Sequence, residues 1–153
     1  MSELSIKFRI VTPERTVFED SVTQATLPTP DGEITVLPNH CSYIASLIPG
    51  ELMVKPASSI GGKNGEEILL SISGGFIEFH NNELIVLADT AERAEEIDLK
   101  RAEEGRKKAE EIRKQEISMD DSEYARVAAS IQKESARIRV ARKHYTKRGI
   151  KID

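Results

Sequence analysis

The spacing of the apolar residues changes near Thr90, and this change constrains the fold more than any other feature of the sequence. Before it, residues 76–80 and 84–88 alternate as two β-strands do, and the dipeptide Asn81-Asn82 separates them. Asn tolerates the positive φ angles of a two-residue turn, so this segment predicts a β-hairpin. After Thr90 the apolar spacing becomes three and four residues, which is typical of helices. The sequence therefore predicts a sheet followed by helices.

Residues 1–90 are predicted to form an all-β domain, an antiparallel sandwich or barrel. Short alternating runs are separated by Pro, Gly and Asn residues, which favour turns. Gly74-Gly75 predicts a bend within a strand, and residues 56–67 predict a flexible loop. The predicted strands are residues 5–12, 15–19, 22–27, 33–37, 41–48, 51–55, 68–73, 76–80 and 84–88.

Residues 91–153 are predicted to form a C-terminal antiparallel α-helical hairpin. In the first helix Ala102, Gly105 and Ala109 recur at helical spacing, and such small residues let a partner backbone approach closely. In the second helix a seven-residue repeat predicts the seam, which comprises Tyr124, Ile131, Ile138 and Tyr145. The seam has few large aliphatic side chains and so buries little apolar surface. A hairpin held this weakly is expected to open.

Composition and charge argue against several classes of protein. The chain of 153 residues has no run of about 18 apolar residues, so no membrane span is expected, and its N-terminus lacks the pattern of a signal peptide. One cysteine excludes an internal disulfide and fits a reducing cytoplasm. The net charge of −4 argues against a nucleic-acid binder, yet the C-terminal segment is basic, which favours an acidic partner. Its basic residues are Lys133, Arg137, Arg139, Arg142, Lys143, Lys147, Arg148 and Lys151.

The sequence contains no recognisable catalytic constellation. It has no CxxC, HExxH or phosphate-loop motif, and no Ser-His-Asp arrangement. His40, His80 and His144 lie too far apart in the chain for their spacing to indicate a metal site. Cys41 is expected to be a small core side chain. The residues therefore predict a non-catalytic protein without a metal.

Two stretches resemble a known family. One runs from Ser71-Ile72-Ser73-Gly74-Gly75-Phe76-Ile77-Glu78, through Val86–Arg93, to Ile97-Asp98-Leu99-Lys100-Arg101-Ala102, and the other comprises Gly32–Ile34 and Leu37–His40. In order and spacing they resemble the ε subunit of bacterial F-type ATP synthases, over nearly the whole chain. The resemblance implies a non-catalytic central-stalk subunit of the rotor. Its partners would be the γ subunit, the c-ring and the α/β catalytic hexamer, at the cytoplasmic face of the bacterial plasma membrane.

The resemblance also implies roles for particular residues of both domains. Glu33 and His40 correspond to residues that meet γ and the rotor ring, although the residues alone indicate only surface polar groups. The hairpin would inhibit ATP hydrolysis when it extends toward acidic loops of the catalytic subunits. The residues expected to make that contact are Arg137, Arg139, Arg142 and Lys143.

The motif Ile97-Asp98-x-x-Arg101-Ala102 resembles the ATP-contacting motif of some ε subunits. ATP would then be a regulatory ligand, while no cofactor would be required. By the resemblance, the nucleotide-binding residues are Glu92, Ile97, Asp98, Arg101, Ala102, Lys108, Lys133 and Arg137. Lys108 and Lys133 replace arginines of the family pattern, and lysine lacks the bidentate fork of arginine. Read without the resemblance, Asp98 is a cap at the start of the first helix.

Two alternatives belong to other classes of protein. The first is a free-standing scaffold of sandwich and hairpin that binds an unrelated protein and does not associate with γ. The second is a nucleic-acid binder that uses the basic second helix, for which a strongly salt-dependent affinity would be expected. No aromatic residues are interleaved with the basic ones in the manner of nucleic-acid-binding surfaces, which argues against the second.

Overall fold

Two helices follow a β-rich domain in the computed structural model, which describes residues 4–57, 66–115 and 118–150. Most of the loop predicted at 56–67 and the end of the C-terminal tail lie outside these ranges. The strands are β1 (Ile6–Val11), β2 (Thr16–Thr29), β3 (Gly32–Val36), β4 (Tyr43–Pro56), β5 (Ile68–His80), β6 (Glu83–Ala88) and β7 (Ala91–Arg93). A 3₁₀ turn (Ala94–Glu96) leads to α1 (Leu99–Gln115) and α2 (Asp121–Lys147). The predicted fold class is confirmed. The domain boundary at residue 90 stays a prediction. The short strand β7 follows residue 90 and still pairs with β5 of the sheet.

The described strands form one sheet that closes on itself. The order is β1-β6-β5-β4-β2-β3, and β1 also pairs with β2, which closes the first five strands of the path into a barrel-like sandwich and leaves β3 beside β2. β1 pairs with β6 in parallel and with β2 in antiparallel orientation. Closure leaves few exposed edges that could pair with another chain.

Three long strands each replace two strands that the sequence predicted. β2 covers most of 15–19 and all of 22–27, β4 most of 41–48 and all of 51–55, and β5 all of 68–73 and 76–80. Pro49-Gly50 does not end a strand, because it pairs with Ile72 and Ser73 of β5 within β4. Gly74 and Gly75, where a bend was predicted, have φ values of 117° and 133°, a conformation that favours glycine. A Cβ on Gly75 would lie 2.0 Å from the carbonyl oxygen of Leu87, so no side chain fits there.

The sandwich core consists of the inward-facing residues of these strands. Phe8, Phe79, Ile6 and Ile10 are among its largest fully buried side chains. The rings of Phe8 and Phe18 pack with their centroids 5.6 Å apart. The predicted turn at Asn81-Asn82 has φ values of 49° and 58°, as a two-residue hairpin requires.

The helical hairpin packs on the sandwich through α2. A second apolar cluster joins Leu69 of β5 and Ile97 to Val140 and Ala141 of α2. The predicted seam is buried only near the sandwich, where Ile138 is 4% exposed, whereas Tyr124 at the far end is 55% exposed. Asp120 caps α2 by accepting a hydrogen bond from the backbone N–H of Glu123, 2.8 Å away. The hairpin is therefore folded against the sandwich, with modest apolar burial.

Candidate functional site

A cleft of about 790 Å³ lies where the hairpin meets the sandwich. Three parts of the chain form it: the β1–β2 turn, the segment after β6, and one face of each helix. The lining residues are Thr12, Pro13, Glu14, Arg15, Asp89, Thr90, Ala91, Glu92, Arg101, Glu104, Gly105, Lys108, Lys133, Glu134 and Arg137. Since both helices contribute, the cleft depends on the folded hairpin.

Five of the eight predicted nucleotide-binding residues line this cleft. They are Glu92, Arg101, Lys108, Lys133 and Arg137. The packing of α2 against β7 brings together residues that are 45 positions apart in the chain, as the contact of Arg137 with Glu92 shows. Ile97 and Ala102 are buried, 3% and 0% exposed. Their contribution to nucleotide binding stays a prediction.

Arg137 is the most constrained charged group of the cleft. Its Nε and Nη2 donate to the two carboxylate oxygens of Glu92, at 2.6 and 3.1 Å, and its Nη1 donates to Oε2 of Glu134 at 2.8 Å. Burial alone would lower the pKa of the guanidinium, but the hydrogen bonds to both carboxylates outweigh burial and raise the pKa. Arg137 therefore holds the strand segment and α2 together as a permanently charged group.

Three other cations of the cleft have no such partner. Within the described ranges, Arg101, Lys108 and Lys133 form no ion pair with a carboxylate. Cations that converge on one cleft without carboxylate partners attract a polyanion. The cleft is also lined by five carboxylates, and its volume is within the range of small-molecule sites. These carboxylates belong to Glu14, Asp89, Glu92, Glu104 and Glu134.

Asp98 does not line the cleft but caps α1. Its Oδ1 accepts a hydrogen bond from the backbone N–H of Arg101 at 3.0 Å, and its carbonyl accepts one from Ala102. A carboxylate at this position satisfies an unpaired N–H of the first turn and favours the helix dipole. The capping interpretation of the sequence is thereby met by the geometry, while contact of Asp98 with a nucleotide stays a prediction.

The position of Glu134 in the cleft was not predicted from the sequence, and the neighbour of Gly105 differs from the predicted one. Gly105 was expected to let a backbone approach, but the nearest atoms to a Cβ placed there belong to the side chain of Glu134, with Cδ at 3.2 Å. The missing side chain of Gly105 makes room for a carboxylate. The i, i+3 spacing of Glu134 and Arg137 was a signal that would have found the pair.

The basic face of α2 makes ion pairs within the folded molecule. Lys147 donates to Glu67 at 2.6 Å, Lys143 donates to Glu51, and Arg142 donates to Glu103 of α1 at 2.8 Å. The hydrogen bond from Lys147 lowers the pKa of the Glu67 carboxyl, although partial burial opposes this. Two of the predicted inhibitory residues therefore have internal partners here, and Arg137, a third, lies in the cleft.

Arg139 differs from these three. It is exposed and makes no ion pair in the described parts of the chain. Of the four predicted inhibitory residues, it alone presents its charge to solvent without an internal partner.

Glu33 lies at the start of β3 and His40 lies in the segment after β3, and both are exposed. The imidazole of His40 packs edge-on against the ring of Phe79, with centroids 5.8 Å apart. Cys41 beside it is exposed, so the expectation of a core cysteine was wrong. Cys41 lies in the segment that connects β3 to β4, where its side chain faces solvent.

The described residues contain no group of three or more His, Cys, Asp or Glu side chains placed to hold a metal ion. None of the described helices has the length and apolar character needed to cross a membrane.

The class of the protein follows from a family match and from similar folds in known structures. Residues 5–94 match the family described as "ATP synthase, Delta/Epsilon chain, beta-sandwich domain". Similar folds occur in the cryo-EM structures of the Euglena gracilis mitochondrial ATP synthase, OSCP/F1/c-ring, and of the Tetrahymena thermophila mitochondrial ATP synthase, central stalk/c-ring. Their TM-scores are 0.69 and 0.57 at 21% and 17% identity, covering 87% and 94% of this chain and 79% and 98% of those chains. The fold and the family match define a protein of the ATP synthase delta/epsilon class.

Relatives that align along most of the chain show which member of this class it is similar to. The chain is 41% identical to the ATP synthase epsilon chain of Chloroflexus aggregans over 145 residues, which is 95% of this chain and 98% of the relative. It is 39% identical to that of Pediococcus pentosaceus over 135 residues, which is 87% of this chain and 92% of the relative. The chain belongs to the ATP synthase epsilon chain family.

Proposed function

We propose that this chain is a non-catalytic rotor subunit in the central stalk of a bacterial F-type ATP synthase, peripheral to the cytoplasmic face of the plasma membrane. The single observation that carries this proposal is the likeness to epsilon chains along nearly the full length of both sequences. The sandwich docks on γ and the c-ring, and the hairpin regulates hydrolysis by the α/β hexamer. Glu33 and His40 contribute to the docking surface.

Exposed apolar side chains on the sandwich support a docking role. Ile44, Phe76 and Leu87 are 75%, 61% and 55% exposed. Phe76 and Leu87 lie directly opposite each other on β5 and β6, and Ile44 lies on the neighbouring strand β4. Neighbouring exposed apolar residues on a sheet face mark a protein contact more often than isolated ones do. We assign this patch to the γ subunit.

The hairpin acts as a two-state inhibitor. In the folded state the side chains of Arg142 and Lys143 are paired internally, so they are withheld from other subunits. In the extended state they are released together with Arg137 and meet acidic loops of the catalytic subunits. Differential contacts of this kind bias an equilibrium between two conformations.

ATP favours the folded state by binding in the cleft between the helices. Arg101 and Lys108 of α1 and Lys133 and Arg137 of α2 contact the phosphates, so the nucleotide bridges both helices. Ligands that bind one state only stabilise that state by mass action. ATP is regulatory in this scheme and is not turned over.

The docking proposal is tested by co-purification of the tagged chain with γ and the c-ring from detergent-solubilised membranes. We expect the wild-type chain to recover both, and Phe76→Glu to lose γ, because a charge in an apolar contact stays desolvated and unpaired. Tyr124→Glu is the control, since Tyr124 is an aromatic residue of similar exposure at the far end of the hairpin. Failure of the wild-type chain to recover γ would contradict the proposal and favour the free-standing scaffold.

A further inference from the structure

We propose that Glu134 acts as an internal anion that occupies the phosphate-facing side of the cleft and competes with a bound polyphosphate for Arg137. This inference rests on the proposed nucleotide-binding role of the cleft and concerns how that site is regulated. The affinity for a polyanion would then be limited by a carboxylate of the chain itself.

The position of Glu134 is the first line of support. Its carboxylate accepts the hydrogen bond from Nη1 of Arg137 at 2.8 Å, and its side chain is only 15% exposed. It lies over Gly105, where a Cβ would come within 3.2 Å of its Cδ. The side chain is thus accommodated between the two helices, at the place where both helices face the cleft.

The hydrogen bonds of Arg137 are the second line of support. Glu92 uses both of its oxygens to bind Nε and Nη2, which is the bidentate arrangement that arginine favours. Only the Nη1 edge remains, and Glu134 holds it through a single bond. An incoming phosphate can therefore replace Glu134 without disturbing the pair that joins α2 to β7.

The remaining charges of the cleft explain why a polyanion would compete. Arg101, Lys108 and Lys133 have no ion-paired carboxylate in the described ranges. They attract phosphate, whereas the carboxylates of the lining repel it. Among these carboxylates, Glu134 also occupies the edge of Arg137 that Glu92 leaves open. A bound phosphate has to break the charge-assisted hydrogen bond between Arg137 and Glu134. If Glu134 did not hold Arg137, the arginine could bind the phosphate without this cost, and the affinity for a polyanion would be higher.

The experiment is calorimetric titration of the full chain with Mg-free ATP, and separately with tripolyphosphate. Glu134→Gln removes the charge at nearly constant shape. We expect it to bind both ligands about tenfold more tightly than wild type, since a hydrogen bond to a charged group is worth roughly a factor of ten or more. Glu104→Gln removes one charge from the same cleft but frees no arginine, and we expect less than about a threefold change from it.

The outcomes separate this inference from the proposed function. If wild type binds ATP and Glu134→Gln binds it no more tightly, or if Glu104→Gln matches Glu134→Gln, competition by Glu134 is contradicted while the ATP site stands. If neither wild type nor Glu134→Gln binds ATP or tripolyphosphate at millimolar concentration, the proposed ATP site and this inference are both contradicted. Tighter binding of tripolyphosphate alone by Glu134→Gln supports the competition and rejects the nucleotide.

A second variant covers the case in which Glu134→Gln does not fold, which far-UV circular dichroism would reveal. Glu134→Asp keeps the charge but withdraws the carboxylate from Arg137 by one methylene. We expect its affinity for both ligands to lie between those of wild type and Glu134→Gln. An affinity equal to that of wild type would contradict the proposal.

Discussion

Asp98 illustrates how one residue of a family motif can be accounted for by helix physics. Its carboxylate accepts the N–H of Arg101, an otherwise unpaired donor of the first turn of α1. The family resemblance implies that Asp98 contacts a nucleotide, but the hydrogen bond observed is within the chain. Stability and ligand affinity must therefore be measured separately at this position.

Asp98→Ala is expected to destabilise the hairpin by about 1 kcal/mol, because it removes the cap of α1. Asp98→Asn keeps a side-chain acceptor, and we expect it to lose only a few tenths of that amount. Urea unfolding followed by circular dichroism at 222 nm measures both. Equal losses in the two variants would indicate that the charge of Asp98 matters and its capping geometry does not.

At the scale of elements, the hairpin is attached by small apolar contacts and by ion pairs near the end of α2. Val140 and Ala141 supply the apolar contact with β5, and Lys143 and Lys147 reach Glu51 and Glu67 on the sandwich. Exposed ion pairs contribute little each, and salt and pH modulate them. Apart from the partly buried pair of Arg137 with Glu92, the attachment thus consists of contacts that each contribute little.

We expect the ion pair of Lys147 with Glu67 to stabilise the packing of the hairpin on the sandwich at neutral pH and to lose this effect in acid. The pKa of Glu67 is lowered in the folded chain, so its contribution is complete above its ordinary value of 4.5 and is lost as pH falls through the folded-state pKa. Lys147→Met should weaken docking by about 0.5 kcal/mol at pH 7. The difference from wild type should vanish in strong acid.

Hydrogen exchange of the α2 amides at pH 7, with chemical unfolding from pH 7 down to pH 3, measures this effect. Lys107→Met is the control, because Lys107 is exposed on α1 and makes no ion pair in the described residues. A Lys147→Met deficit that persists unchanged at low pH would show that the charge of Glu67 is not involved.

Sequence patterns predicted the elements better than their extents and contacts. Alternation and the Asn81-Asn82 turn identified the β5–β6 hairpin, because both are local signals. Pro49-Gly50 was interpreted as a strand end but lies within β4, since it pairs with Ile72 and Ser73 of β5. The distinction depends on tertiary pairing, which local sequence does not encode.

The candidate site divides in the same way. The family resemblance implied eight nucleotide-binding residues, and five of them line the cleft. Glu134 was missed because its role depends on Gly105, which lies 29 positions earlier on the other helix. Tyr124 shares a heptad position with Ile138, yet only Ile138 is buried, because only that end of α2 reaches the sandwich.

At the scale of the whole molecule, the basic residues of α2 differ in the state of the hairpin that their substitution would affect. A test of inhibition therefore needs a residue that affects one state only. Reversing the charge of Arg142 or Lys143 would break an internal pair and favour opening, while it weakens any contact made after opening. The two effects oppose each other in an assay of inhibition. Arg139 is exposed without an internal partner in the described chain, so its reversal tests only the extended state.

The most direct test of the regulatory account is ATP hydrolysis at low ATP by the assembled enzyme carrying Arg139→Glu. We predict higher hydrolysis than with the wild-type chain, several-fold at most because other basic residues remain, and wild-type hydrolysis with Lys107→Glu as a matched control. The folded state should be unchanged in both variants by circular dichroism. Hydrolysis equal to wild type with Arg139→Glu, in a fully assembled complex, would contradict inhibition through the basic face of α2.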